Sequence, residues 1–149
     1  DMRETYKKNS FDVTLNLFTS FGYFNNKEDD FSAIKSMSEN LKNDGILIID
    51  FLNSKKVISN LIKTETKEIN GVQFNLSRKV EDGFIIKNIE VNHNEDRFSF
   101  QEKVKALTKE NFSEILTFAG LQIIDTFGNY KLDEFNHQTS DRLIIIAKK

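Results

Sequence analysis

Hydrophobic positions change period several times along this chain, and each change predicts an element. Residues 11–18 (FDVTLNLF) are rich in β-branched and aromatic side chains over a strand's length, which predicts a strand ending in Thr19-Ser20-Phe21-Gly22. Residues 27–42 take helical spacing instead. Phe31, Ile34, Met37 and Leu41 recur at i, i+3, i+6 and i+10, and Asp29 and Asp30 suit the positive end of a helix dipole. Asn43-Asp44-Gly45 predicts the stop, with Gly45 as a left-handed cap. Residues 46–52 form a continuous apolar run, which fits a parallel strand buried on both faces. Ser54 is the expected N-cap of a short helix carrying Val57, Ile58, Leu61 and Ile62.

The pattern then turns to alternation. Asn70-Gly71 and Asp82-Gly83 are two-residue hairpin signals, and residues 92–96 make a looser third turn. Between them lie alternating stretches at 72–80, 84–91 and 97–107, so residues 64–107 read as an antiparallel β-meander. Thr108 can cap a helix over 109–119 that Gly120 ends. A strand over 121–127, a polar loop over 128–141 and a last strand over 142–148 complete the chain. The fold class is α/β, with the meander as an insertion. Three regions follow: a first core part (1–63), the antiparallel cap (64–107) and the core completion (108–149).

Composition narrows the chemistry. A chain of 149 residues is the length of one domain and can bury roughly two-thirds of its unfolded surface. The 21 Lys and Arg against 23 Asp and Glu leave a net charge of -2. That balance argues against nucleic acid as a partner. With no Cys, zinc-thiolate and thiol chemistry are excluded. No run reaches the ~20 apolar residues of a membrane helix, and no signal-peptide pattern occurs. The expectation is a cytoplasmic protein without a membrane partner. Asp1 in place of an initiator Met leads us to expect a fragment or a processed chain.

The candidate sites are few. The six glycines are scattered and none forms a phosphate loop. His93 and His137 read as loop residues without metal-ligand partners, and no metal is expected. Asn92-x-Asn94-x-Asp96 imitates a calcium loop, but Arg97 and Lys103 stand where its Gly and Glu belong. Ser20 has no His base nearby in sequence. The aromatic cluster Phe18, Phe21, Tyr23 and Phe24 follows the first strand. It is either core filling in a chain without Trp or the wall of a site for a flat or cationic ligand. The second reading rests on position, because open α/β sheets bind ligands at the carboxyl ends of strands.

These segments together resemble the second half of class I S-adenosylmethionine-dependent methyltransferases. Asp1-Met2-Arg3-Glu4 and Phe11-Asp12-Val13 resemble the approach to that family's fourth strand, and Ser20-Phe21-Gly22-Tyr23 the loop after it. The run from Leu41 to Asp50 (LKNDGILIID) is similar to the family's fifth-strand motif. Phe118-Ala119-Gly120-Leu121, Phe127-Gly128-Asn129-Tyr130 and the last strand are similar to its closing segments. The implied fold is a partial Rossmann-like methyltransferase sheet, strands four to seven, with an inserted antiparallel cap. Small-molecule enzymes, sugar N-methyltransferases among them, carry such a cap.

The resemblance implies S-adenosylmethionine as cofactor and a small-molecule acceptor. Asp1 and Met2 are expected at the adenine edge, and Leu17, Phe18 and Thr19 on the methionine side of the cleft. Tyr23 and Asn53 are expected at the substrate mouth, with Arg78 and Arg97 as further substrate-side candidates from the cap. The family's first strand, its glycine-rich loop and its ribose-binding acid are expected upstream of Asp1, so this chain alone is expected to be inactive. The competing reading is a non-enzymatic binding or dimerisation module. A bare edge on the first strand would invite pairing, hence a possible homodimer. An RNA-directed enzyme fits the acidic balance poorly.

Overall fold

The computed structural model describes residues 1–93 and 96–149. Its elements are β1 (Phe11–Asn16), α1 (Lys27–Asn40), β2 (Leu41–Leu52), α2 (Ser54–Ser59), β3 (Thr64–Ile69), β4 (Val72–Glu81), β5 (Phe84–His93), β6 (Asp96–Lys105), α3 (Lys109–Phe118), β7 (Gln122–Phe127) and β8 (Arg142–Lys148). They form two sheets, in the orders β1-β2-β8-β7 and β3-β4-β5-β6. In the first, β1 and β2 run parallel, Val13 facing Ile46 through Asn16 facing Ile49. β8 lies antiparallel between β2 and β7. The arrangement is the expected α/β one, with β2 beside and parallel to β1. Among the described residues no helix is long and apolar enough to cross a membrane.

One face of this sheet is sealed. Leu47, Ile49 and Phe51 of β2 and Leu143, Ile145 and Ala147 of β8 are buried with Ile34 of α1 and Ile115 and Leu116 of α3. Phe112 of α3 stands at the centre of the aromatic packing, 5.7 Å from the Phe21 ring and 5.1 Å from that of Phe51. The other face is open at its margin, where Val13 and Leu15 are exposed and Ile46 and Ile48 are half-buried. Burial of residues 46–52 on both faces is therefore met only on one.

Local chemistry explains most boundaries. Asn26 accepts from the Asp29 amide and starts α1, while Thr108 and Asn111 close a reciprocal capping box at α3. Asn70-Gly71 and Asp82-Gly83 take positive φ at both positions, the twist a two-residue hairpin requires. Three expectations fail. Gly45 is not a left-handed cap. The helix passes into β2 through extended Leu41, and the register jumps from Leu41 to Ile46 against Phe11 and Val13. A Cβ on Gly45 would meet the Lys42 carbonyl at 2.9 Å, so it is close backbone approach that requires glycine there. Ser54 is not the N-cap of α2. That position belongs to Asn53, and the Ser54 hydroxyl donates to the Leu107 carbonyl at 2.5 Å. His93 closes β5 rather than standing in a loop. Position 94 of the calcium-like spacing and of the third turn lies outside the described residues.

The second sheet is a four-stranded meander with two unlike faces. Opposed residues across an antiparallel sheet share a face. One face carries the rows Val80–Ile85–Val104, Arg78–Lys87–Glu102, Leu76–Ile89–Phe100 and Phe74–Val91–Phe98. The other carries Ser77–Asn88–Gln101, Asn75–Glu90–Ser99 and Gln73–Asn92–Arg97. Ile85 and Val104 of the first row join the core beneath Phe21 and Phe51. The strand over Thr64–Ile69 is one the sequence left inside the meander without its own pattern, because TETKEI is almost wholly polar and gains its place by pairing with β4.

We expect Phe112→Ala to lower stability by about 3–5 kcal/mol, the cost of a large aromatic cavity, measured by urea unfolding followed by circular dichroism.

Candidate functional site

The carboxyl ends of β1 and β2 meet at a strained loop. Phe18 and Thr19 take φ of 57° and 58°, a left-handed conformation that costs non-glycine residues about 1–3 kcal/mol each, and a β-branched one most. The Thr19 amide donates to the Asp50 carbonyl at 2.9 Å, and the Phe18 amide donates to Asp50 Oδ2 at 3.0 Å. The Ser20 amide and hydroxyl both donate to the Leu17 carbonyl, at 3.2 and 2.6 Å. The turn is thereby pinned at both ends.

Asp50 holds more than the turn. It is 2 % exposed, and a carboxylate at that depth requires partners. Its Oδ1 accepts from Arg142 Nε at 2.7 Å, and its Oδ2 also accepts from the Tyr130 hydroxyl at 2.9 Å. Arg142 in turn donates to Thr19 Oγ1 at 3.0 Å. One carboxylate thus joins the β1 loop, the start of β8 and the closing loop. The bond to Asp50 raises the Tyr130 phenol above its ordinary value, with a small opposing pull from Arg142. By sequence, Asp50 and Tyr130 stand only inside motifs, and position 142 only opens the last strand. The available signal was a lone carboxylate in the apolar run ILIIDFL, which a buried strand tolerates only when paired.

The predicted site residues divide. Leu17, Phe18 and Thr19 are brought together at the end of β1, with Phe18 78 % exposed, Leu17 half-buried and Thr19 buried. Asp1 and Met2 lie against α1. The Met2 carbonyl accepts from Ser36 Oγ at 2.7 Å, and both Asp1 carboxylate oxygens accept from the Arg3 side chain. Arg3 also reaches Asp29 at 2.9 Å and lies 5.1 Å over the Phe24 ring. Of the aromatic cluster, Phe21 is core, whereas Phe18 and Tyr23 are exposed. Tyr23 sits beside β6, and burial together with the negative charge of Glu102 raises its phenol.

Asn53 lines a small cavity with Ser54, Leu107 and His137. It is buried, and its amide donates to the carbonyls of His137 and Ser140 at 3.1 and 2.8 Å, which fastens the 128–141 loop. Arg78 is a buttress, bonded to Glu65 at 2.9 Å and to the Ile62 carbonyl at 3.2 Å. Arg97 lies on the polar face of the meander, the face opposite Glu102, so it points away from Tyr23. Strand parity separates these two arginines where sequence alone grouped them.

No protein-family model and no curated protein matches the sequence. Solved structures do match. An S-adenosylmethionine-dependent methyltransferase from Clostridium acetobutylicum superposes with a TM-score of 0.85 at 20 % identity, over 99 % of this chain and 62 % of that one. The CcbJ methyltransferase from Streptomyces caelestis gives 0.82 at 12 % identity, over 99 % and 61 %. CalS10, an amino pentose methyltransferase from Micromonospora echinaspora with S-adenosylmethionine bound, gives 0.69 at 17 % identity, over 99 % and 62 %. The chain therefore has the Rossmann-like fold of the C-terminal part of S-adenosylmethionine-dependent methyltransferases. It spans about three-fifths of the length of these matching chains.

We expect Asp50→Asn to cost about 1.5–3 kcal/mol, the range for a hydrogen bond to a charged group. It should also let Tyr130 ionise nearer the ordinary phenol value of about 10. A tyrosinate titration at 295 nm reads the shift, and Tyr130→Phe identifies the band. Because the Tyr130 phenol is raised on folding, its contribution to stability is present below the ordinary phenol range and is lost as pH rises through the raised value.

Proposed function

We propose that these residues supply the C-terminal part of a methyltransferase that moves a methyl group from S-adenosylmethionine to a small molecule. The observation that carries the reading is the likeness in fold, over 99 % of the chain, to structures of methyltransferases. The pinned loop at the end of β1 supports it. That loop lies where open α/β sheets take ligands.

The residues present fit the cofactor in part. The exposed Phe18 ring offers a face to a sulfonium cation, and Thr19, whose oxygen accepts from Arg142, keeps a hydroxyl proton to donate. Leu17 presents its side chain only, since its carbonyl already accepts twice. Asp1 fits less well, because an adenine amine would have to share its carboxylate with Arg3. Met2 packs beside it and would support the ring. Tyr23 remains the acceptor-side candidate.

When bound, S-adenosylmethionine supplies a methyl carbon already activated by positive sulfur. The chain's own contribution is then alignment. A loop held by Asp50 and Arg142 would hold the methionine side, and Tyr23 beside β6 would border the acceptor. Proximity and orientation supply much of the rate in such displacements. An amine acceptor attacks with its own lone pair and needs no dedicated base.

Isothermal titration of the 149-residue chain with S-adenosylmethionine is expected to show no low-micromolar binding, because the chain carries no glycine-rich loop. Low-micromolar affinity would show that these residues suffice. Joined to a glycine-rich first half, the chain should bind, and Thr19→Val should weaken binding by up to about tenfold, the worth of one hydrogen bond.

A further inference from the structure

A cleft opens where the meander meets the two longer helices. Its volume is about 380 Å³, within the range of small-molecule pockets. Three separate parts of the fold wall it: Asp30 of α1, Asp82 and Phe84 at the β4–β5 turn, and Glu114 and Ile115 of α3. None of Leu17, Phe18, Thr19 and Tyr23 lines it, so it is distinct from the loop at the end of β1.

The cleft holds an unfinished hydrogen bond. The Asp30 side chain is 1 % exposed, and its Oδ2 accepts from the Lys105 ammonium. Its Oδ1 has no partner among the described residues. A carboxylate can accept at both oxygens, and a buried one left bare carries the full desolvation cost of a charged group. The charges of the lining point the same way. Lys27 is paired with Glu114 at 3.0 Å and Lys105 with Asp30, which leaves the negative charge of Asp82 over. A cationic donor would therefore complete Asp30 and balance the cleft together. A bare metal ion fits poorly, because no three acidic or imidazole side chains converge among the described residues. The wall is in good part apolar, with Phe84 and Ile115 both buried and Leu107 beside them.

We propose that this cleft binds a small organic ammonium ion, its N–H donating to Asp30 Oδ1 and its apolar body lying against Phe84, Leu107 and Ile115. The exposed carboxylates of Asp82 and Glu114 add attraction at the rim and disfavour an anion. A neutral alcohol can also donate to Oδ1, but hydrogen bonds between ionised partners are roughly twice as strong. The bound ion would touch α1, the meander turn and α3 at once. The proposal does not depend on methyl transfer.

NMR of the isotope-labelled 149-residue chain titrated with phenethylamine should show saturable shifts at the Gly83 and Asn111 amides. A dissociation constant on the order of 1 mM suits a ligand of that size. Phenethyl alcohol should bind about tenfold more weakly, and hydrocinnamate should not bind. In Asp30→Asn, Lys105 keeps the amide oxygen and an N–H group takes the place of the open acceptor, so amine affinity should fall about tenfold or more. Asp82→Asn with Glu114→Gln changes only exposed side chains and leaves the Lys105 pair intact. That double variant should weaken the amine about threefold or more and leave the alcohol unchanged. The proposal is overturned if tens of millimolar amine give no saturable shift at Gly83 and Asn111. Equal affinity for amine and hydrocinnamate overturns it too, as does an amine affinity that the double variant leaves unchanged.

Discussion

The Asp50 carboxylate is the constraint on which the loop at the end of β1 and its neighbours depend. It stands in an apolar strand, 2 % exposed, where a lone charge is several kcal/mol too costly to keep. Its donors come from three separate segments: Phe18 after β1, Tyr130 in the closing loop and Arg142 at the start of β8. None of these is near Asp50 in sequence. The carboxylate is satisfied only when β1, β2 and β8 are already side by side, so the strained turn at Phe18 and Thr19 forms as a consequence of sheet closure. The strain there is held by two backbone amides and one guanidinium.

Much of the fold was legible because its signals are local. Asn70-Gly71, Asp82-Gly83, Thr108 and Gly120 each act within a few residues, and each behaves in the structure as its chemistry dictates. The parallel pairing of β1 with β2 was legible from a different signal, the unbroken apolar run from Ile46. Failures came where a residue's role is set at a distance. Gly45 offers a left-handed cap by sequence, but the space it must leave is for the Lys42 carbonyl. Ser54 resembles a cap, but the Leu107 carbonyl, far along the chain, takes its hydroxyl. β3 has no pattern of its own and exists because β4 offers it an edge.

The candidate site was legible only in part, for the same reason. Leu17, Phe18 and Thr19 are what the resemblance implies, and they stand together at the end of β1. Asn53 has the same kind of place, yet its amide is drawn inward by the carbonyls of the 128–141 loop. Arg78 and Arg97 are both cationic residues on meander strands. They differ in parity once the strands are paired, and a single-residue offset sends one to each face. Motif position identified the neighbourhood, and long-range hydrogen bonding decided which members of it are free.

The same logic fixes how the meander sits on the core. The Lys105 amide donates to the Gly22 carbonyl at 2.8 Å, and its ammonium reaches the Asn26 carbonyl at 2.6 Å and the buried carboxylate of Asp30. One residue at the end of β6 therefore ties the aromatic loop, the start of α1 and the meander together. Beneath it, Val104 packs where Gly22 leaves room against Phe51. Burial raises the Asp30 carboxyl above its ordinary value, against the opposing pull of Lys105. A raised carboxyl favours the folded state most below the ordinary carboxylate range, and that contribution is lost as pH rises through the raised value. Lys105 limits the loss, which is why a joint of this kind pairs its buried acid with a lysine. Tyr23, next to Gly22, inherits its position from that joint, so its placement is set by packing of the meander on the core.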